Sequence, residues 1–189
     1  MKAIYLSPFG TIEEEAMTAL EESCWQVFGF DVKRTRQFPE PMFALNEATR
    51  QFSSALLLKD LLTRIPPDAV KVLGVTSKDL YIPMLSFVFG HAQLNGPAAV
   101  ISLARLQPKF YRMPESRELF IRRTVKEAVH ELGHTFGLIH CADPHCAMSL
   151  SNAIQQVDVK KGELCSNCSI LFEESVKHIR RLDGMEKEQ

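Results

Sequence analysis

The stretch His130-Glu131-Leu132-Gly133-His134-Thr135-Phe136-Gly137-Leu138-Ile139-His140 restricts this chain more than any other. The apolar period over residues 115–136 predicts a helix, entered through Pro114 and left at Gly137. Four positions apart, His130 and His134 share one face of that helix. Gly137 stands where the chain must turn out, in a left-handed conformation that costs glycine little. The turn returns His140 as a third nitrogen donor. Three imidazoles with an open fourth position describe a catalytic zinc rather than a closed structural one. Glu131, one position along, misses the metal yet reaches a water bound to it. Zinc lowers the pKa of such a water toward ~7 and polarises a carbonyl oxygen. Glu131 then accepts the water's proton as it attacks a peptide carbonyl and passes it to the leaving amine. Hydrogen-bonded core imidazoles are the bland alternative, and all three at this spacing disfavour it.

Cysteine placement adds a second constraint. Cys24 stands alone, whereas Cys141, Cys146, Cys165 and Cys168 crowd together after the third histidine. Two thiolate pairs separated by a loop are the framework of a tetrahedral four-cysteine zinc, which closes every coordination position and is structural. Disulfides or free buried thiols are the alternatives. The start of the chain lacks the apolar core of a secretory signal, so the expected compartment is the cytoplasm, where thiols stay reduced. His145 reads as a loop residue. His140 and Cys141 are adjacent, and successive side chains of an extended segment point apart. Two separate ions are therefore expected, and loss of the four-cysteine zinc should misplace His140.

HExxHxxGxxH followed at once by a cysteine, then Cys-x4-Cys-x-Met and Cys-x2-Cys, resembles the archaemetzincins, a family within the metzincin clan of zinc metallopeptidases. The signature covers residues 130–168. The resemblance implies that His130, His134 and His140 bind catalytic zinc and that Glu131 is the general base. It also implies that Cys141, Cys146, Cys165 and Cys168 hold a second zinc. Met148 becomes the methionine of the Met-turn beneath the histidines; from the residues alone it reads as ordinary core. The implied fold is a metzincin-like α/β (α+β) single domain spanning residues 1–189. Residues 1–137 of it make a twisted mixed sheet leading to the active-site helix. Residues 138–189 carry the Met-turn, the four-cysteine site and a final helix.

The remaining elements agree with a mixed sheet covered by helices. Strands are expected at 2–7 (stopped by 8–10), 31–37, 70–75, 87–89 and 98–103. Helices are expected from Thr11, from an Asn46 cap to residue 65 before Pro66-Pro67, and over 168–182, with loop between Gly137 and Gly162 and a frayed tail at 184–189. The Cys24-Trp25 pair reads as core of the first helix. Metzincins generally bind an extended peptide along an edge strand. Strand 98–103 is the candidate, an interior strand the alternative. Arg105, Lys109, Tyr111 and Arg112 either line the cleft or form a solvated basic loop. His91 and His178 read as core or surface residues.

Lys+Arg 22 against Asp+Glu 23 excludes a nucleic-acid protein built on a strong basic field. No apolar run approaches the ~18 residues of a membrane span. The resulting reading is a zinc-dependent hydrolase of peptide bonds, acting on peptides or unfolded protein, with neither nucleic acid nor membrane as partner and its oligomeric state open. The alternative is a non-catalytic or latent zinc-stabilised protein that binds peptides in the cleft. Glu131 favours catalysis, because a binding module has no need of it. Zinc hydrolysis of a non-peptide amide is compatible with the same ligands.

Overall fold

The computed structural model describes residues 2–185. The expected tail falls largely beyond them, and the side chain of His178 lies outside the described residues. Five strands form the main sheet: β1 (Ala3–Phe9), β2 (Asp31–Arg34), β5 (Ala69–Thr76), β8 (Gly90–Ala92) and β9 (Ala98–Ser102). Their order is β2-β1-β5-β9-β8, parallel throughout except that β8 runs antiparallel to β9. The valine-rich β5 and the apolar β9 (Ala98, Ala99, Val100, Ile101) sit inside the sheet and are buried on both faces. A smaller sheet of β3 (Leu45–Asn46), β4 (Gln51–Ser53), β6 (Leu80–Ile82) and β7 (Leu85–Val88) lies beside α2 (Ser54–Leu62).

Two apolar layers enclose the main sheet. On one face, Ile4, Leu73, Val75 and Ile101 join Leu20 and Phe28 of α1 (Glu14–Phe28) and Val129 and Leu132 of α3 (Arg117–Thr135). Phe28, Phe136 and Phe172 of α5 (Ser166–Met185) close that layer as ring pairs 5.0–5.3 Å apart. On the other face, Val72 and Val100 meet Leu57, Leu58 and Leu61 of α2 and Phe9.

Four local expectations are corrected. β1 does not stop before Pro8 but runs to Phe9, because the Pro8 carbonyl still accepts from Phe38 N–H at 2.8 Å. The helix placed at 46–65 begins only at Ser54, since Arg50 adopts φ 60° and Ser53 caps the start by accepting from Leu56 N–H. Strand 98–103 is interior, and the edge is β8. The loop after Gly137 contains a helix, α4 (Ile154–Val159). Polar side chains of α3 hold it: Arg123 pairs with Asp158 through two 2.7 Å contacts, and Lys126 donates to the Val157 and Asp158 carbonyls.

Candidate metal centre and cleft

Helix α3 is built to end at a defined place. Ser116 caps its start by accepting from Leu119 N–H. At its other end Gly137 takes φ 89°, with Leu138 N–H donating to Gly133 O and Gly137 N–H to His134 O. This paired return is a Schellman stop. The sheet fastens the same end. Asn95 N–H donates to His134 O at 2.9 Å, and Lys71 Nζ donates to Thr135 O at 2.7 Å and to Gly96 O. Burial brings the Lys71 pKa down to about 8.

His130, His134 and His140 converge so that their nearest ring nitrogens all lie within 4.8 Å of one another. The Nε2 atoms of His130 and His134 face each other at 3.1 Å. Their Nδ1 atoms meet carbonyl oxygens, Ala147 O at 2.8 Å and Leu138 O at 2.7 Å. A carbonyl only accepts, so each Nδ1 carries the proton and each Nε2 offers a lone pair inward. Burial depresses the pKa of all three imidazoles, most strongly at His130, and the Lys160 charge adds in the same direction. Neutral, aligned and mutually close, this donor set fits a divalent cation such as zinc.

Cys141, Cys146, Cys165 and Cys168 form a second group with sulfurs within 4.8 Å of one another. Cys141 Sγ and Cys165 Sγ are 3.8 Å apart, far beyond a disulfide bond. A tetrahedron with Zn–S bonds of ~2.3 Å has edges of ~3.8 Å. Backbone N–H groups of Met148 and Cys165 point at Cys146 Sγ. Burial raises the Cys146 and Cys168 thiols, whereas backbone hydrogen bonding lowers Cys165. His145 is separate, its Nδ1 on Val159 O.

Met148 joins the two groups. It is fully buried, and a Cβ at Gly133 would overlap its sulfur. Met148 O accepts from Cys141 N–H at 3.0 Å, while the neighbouring Ala147 O holds His130. Sequence reasoning misses Gly133, although a glycine inside a strong helix is a signal of such a close approach.

Above the histidines lies a cleft of about 740 Å³, walled by Leu85, Phe87, Phe89, Leu94, Ile139 and Leu150. Its floor carries Glu131, 6% exposed, and Glu127, one helical turn earlier and 2% exposed. Burial lifts the Glu131 pKa well above the carboxylate range, the Glu127 charge adds to this, and Lys160 opposes it.

A family model described as peptidase family M54 matches residues 47–174. The chain belongs to that family. It is therefore a zinc metallopeptidase, and peptides are the substrates the family implies. The archaemetzincin of Methanocaldococcus jannaschii is 42% identical over 165 residues, 87% of this chain and 89% of the relative. That of Pyrococcus furiosus is 39% identical, covering 90% and 92%. Among solved structures, the Methanopyrus kandleri archaemetzincin superposes with a TM-score of 0.81 at 36% identity, over 93% of this chain and 96% of its own. The Archaeoglobus fulgidus archaemetzincin, complexed with malonate, gives 0.77 at 35% over 89% and 99%. Among the described residues, no helix of this family member is long and apolar enough to cross a membrane.

The cleft's upper rim is β8 rather than 98–103. Its His91 does not face the histidine cluster as a ligand: Nδ1 meets Ser54 Oγ at 3.0 Å, tying the edge strand to α2. Gly90 lies directly over Glu131, where an added Cβ would overlap the glutamate side chain. G90A is expected to lower kcat/KM by about tenfold or more while leaving the melting temperature within a few degrees of wild type; peptide kinetics beside a thermal melt check it. Arg105 is not available to a substrate carboxylate, because it grips Asp79 in a two-point pair and stacks 4.0 Å over the Phe87 ring. Tyr111 packs into the apolar layer, with the Arg123 guanidinium 5.9 Å from its ring.

Proposed function

We propose that this chain hydrolyses peptide bonds in extended peptides or unfolded segments, with Glu131 as general base and His130, His134 and His140 as ligands of a catalytic zinc. Cys141, Cys146, Cys165 and Cys168 hold a second, structural zinc, giving two per chain within one metallopeptidase domain. The observation that carries this reading is the inward aim of two Nε2 lone pairs beside a buried carboxylate on the same helix. Zinc, when bound, supplies a Lewis acid that activates water and polarises the scissile carbonyl. Glu131 takes a proton from the attacking water and returns it to the departing nitrogen. Its burial makes that exchange easy, because a carboxylate deprived of water is a stronger base than an exposed one. β8 offers its free edge to a substrate backbone, so that peptide extends the sheet across the cleft.

The walls suggest which peptides. Leu85, Leu94, Ile139 and Leu150 are exposed and apolar, whereas the carboxylates lie buried on the floor. Digestion of a peptide library by zinc-loaded protein, read by mass spectrometry, is expected to give cuts flanked by apolar side chains. Cleavage insensitive to removal of Glu131 would overturn the base assignment. Absence of cleavage by a protein holding two zincs would favour the latent or peptide-binding reading.

A further inference from the structure

A second hollow, of about 570 Å³, shares no lining residue with the cleft. Helices α1, α3 and α5 meet around it, and residues 162–164 close one side. Its size falls in the range of small-molecule sites.

Ser23 of α1 lines this hollow and is only 8% exposed, yet its hydroxyl has no hydrogen-bond partner among the described residues. Thr124, also inside a helix, donates to Phe120 O at 2.9 Å; Ser23 makes no such return to its own helix. A buried hydroxyl left unpaired destabilises the fold, and alanine, the better helix former, would remove that cost. A ligand that meets the hydroxyl accounts for a serine there.

The charges around Ser23 indicate which ligand. Glu22, Glu163 and Glu173 stand exposed on the rim, and no lysine, arginine or histidine lines the hollow. Glu22 and Glu163 have no ion-pair partner among the described residues. The three carboxylates do not converge as the histidine nitrogens and cysteine sulfurs do. A bare metal ion, which needs several donors aimed at one point, is therefore poorly served. Between the carboxylates the walls are apolar, with Val27, Val125, Leu164 and Phe172. Dispersed negative charge around an apolar trough matches ammonium groups on a methylene stem. Each ammonium offers three donors to hydroxyl and carboxylate oxygens, while the stem lies along the apolar wall.

We propose that this hollow is a second binding site, which takes an aliphatic ammonium, either a short free diamine or a lysyl side chain. Its wall is tied to the cleft. Glu163 O accepts from Ala147 N–H at 2.9 Å, and Ala147 O in turn meets His130 Nδ1. An occupant therefore bears on the segment that seats the His130 ring. Binding itself needs no hydrolysis, so this inference and the peptidase reading stand or fall separately.

Calorimetric titration of the full chain at pH 7 with 1,5-diaminopentane, and separately with Nα-acetyl-lysine amide, tests it. At least one amine is expected to bind with a Kd of about a millimolar or tighter, reasonable for so small a ligand. The uncharged analogue 1,5-pentanediol should bind at least tenfold more weakly. S23A and E163Q should each weaken the amine by about tenfold, the loss of one hydrogen bond to a charged group. Glu163 is exposed, so E163Q keeps its fold. Without ligand, S23A should melt no lower than wild type, which a serine kept only for packing would not do. The tighter of the two amines identifies the source as a free diamine or a protein's lysine. Failure of both amines to bind, or binding unchanged in S23A and E163Q, would overturn the proposal. So would displacement of the amine by an equal concentration of magnesium chloride, which would reduce the rim to a diffuse acidic field.

Discussion

Glu131→Gln lowers kcat by about a thousandfold, within the range a general base contributes, while zinc content and fold are unchanged. The amide keeps the shape of the carboxyl, so the space beneath Gly90 remains filled and β8 keeps its seat. What it loses is the ability to accept a proton. Stability supplies a second readout. Burial raises the Glu131 pKa above its unfolded value, so the metal-free protein binds this proton more tightly when folded. The stability this provides is full below the ordinary carboxylate pKa and is lost as pH rises through the elevated one. Metal-free wild type should therefore melt at falling temperature across that interval, and E131Q should lack the slope. Persistence of hydrolysis in E131Q would assign the proton transfer to another group, and Glu127 would be the next to replace.

The residues of the two candidate metal groups are legible in the sequence because local geometry determines their placement. A helix carries His130 and His134 to one face regardless of what surrounds it, and Gly137 can stop it in the left-handed turn seen at φ 89°. Cys-x2-Cys and Cys-x4-Cys likewise draw each pair together over a short span. The sheet is legible in its strong interior strands, β5 and β9, which are largely apolar apart from Lys71. What escapes depends on pairing across distance. Nothing between residues 46 and 53 marks a turn except Arg50 in a conformation that arginine seldom adopts, so the apolar period reads back over β4 as helix. The identity of the edge strand rests on which neighbour β9 acquires, a fact of topology rather than of composition. α4 is six residues long, too short for a period to show. The Lys160–Glu127 pair is invisible for a related reason: charged residues ordinarily read as solvated, and only folding reveals that these two are sealed beneath the cleft.

Cys165→Ser has the largest expected effect on stability, and it reaches both proposed metal sites. Structural zinc in small sites is worth roughly 10–16 kcal/mol of apparent binding free energy at pH 7, comparable with the whole stability of a domain. Loss of even about 5 kcal/mol of this lowers the melting temperature of a chain this size by roughly 10–20 °C. The damage spreads through named hydrogen bonds. Ala147 N–H donates to Glu163 O just before Cys165, Ala147 O orients His130, and Met148 O receives Cys141 N–H beside His140. Releasing the sulfur cluster therefore frees one histidine's orienting carbonyl and the backbone that returns another. His134→Ala removes a donor from the end of α3 without touching this web, so it should empty only the cleft. Metal analysis after dialysis is expected to find about one zinc per chain in H134A and none in C165S, with a large fall in melting temperature only in the latter. Equal zinc retention by the two, or equal destabilisation, would mean that the two clusters are not divided into a structural and a catalytic metal.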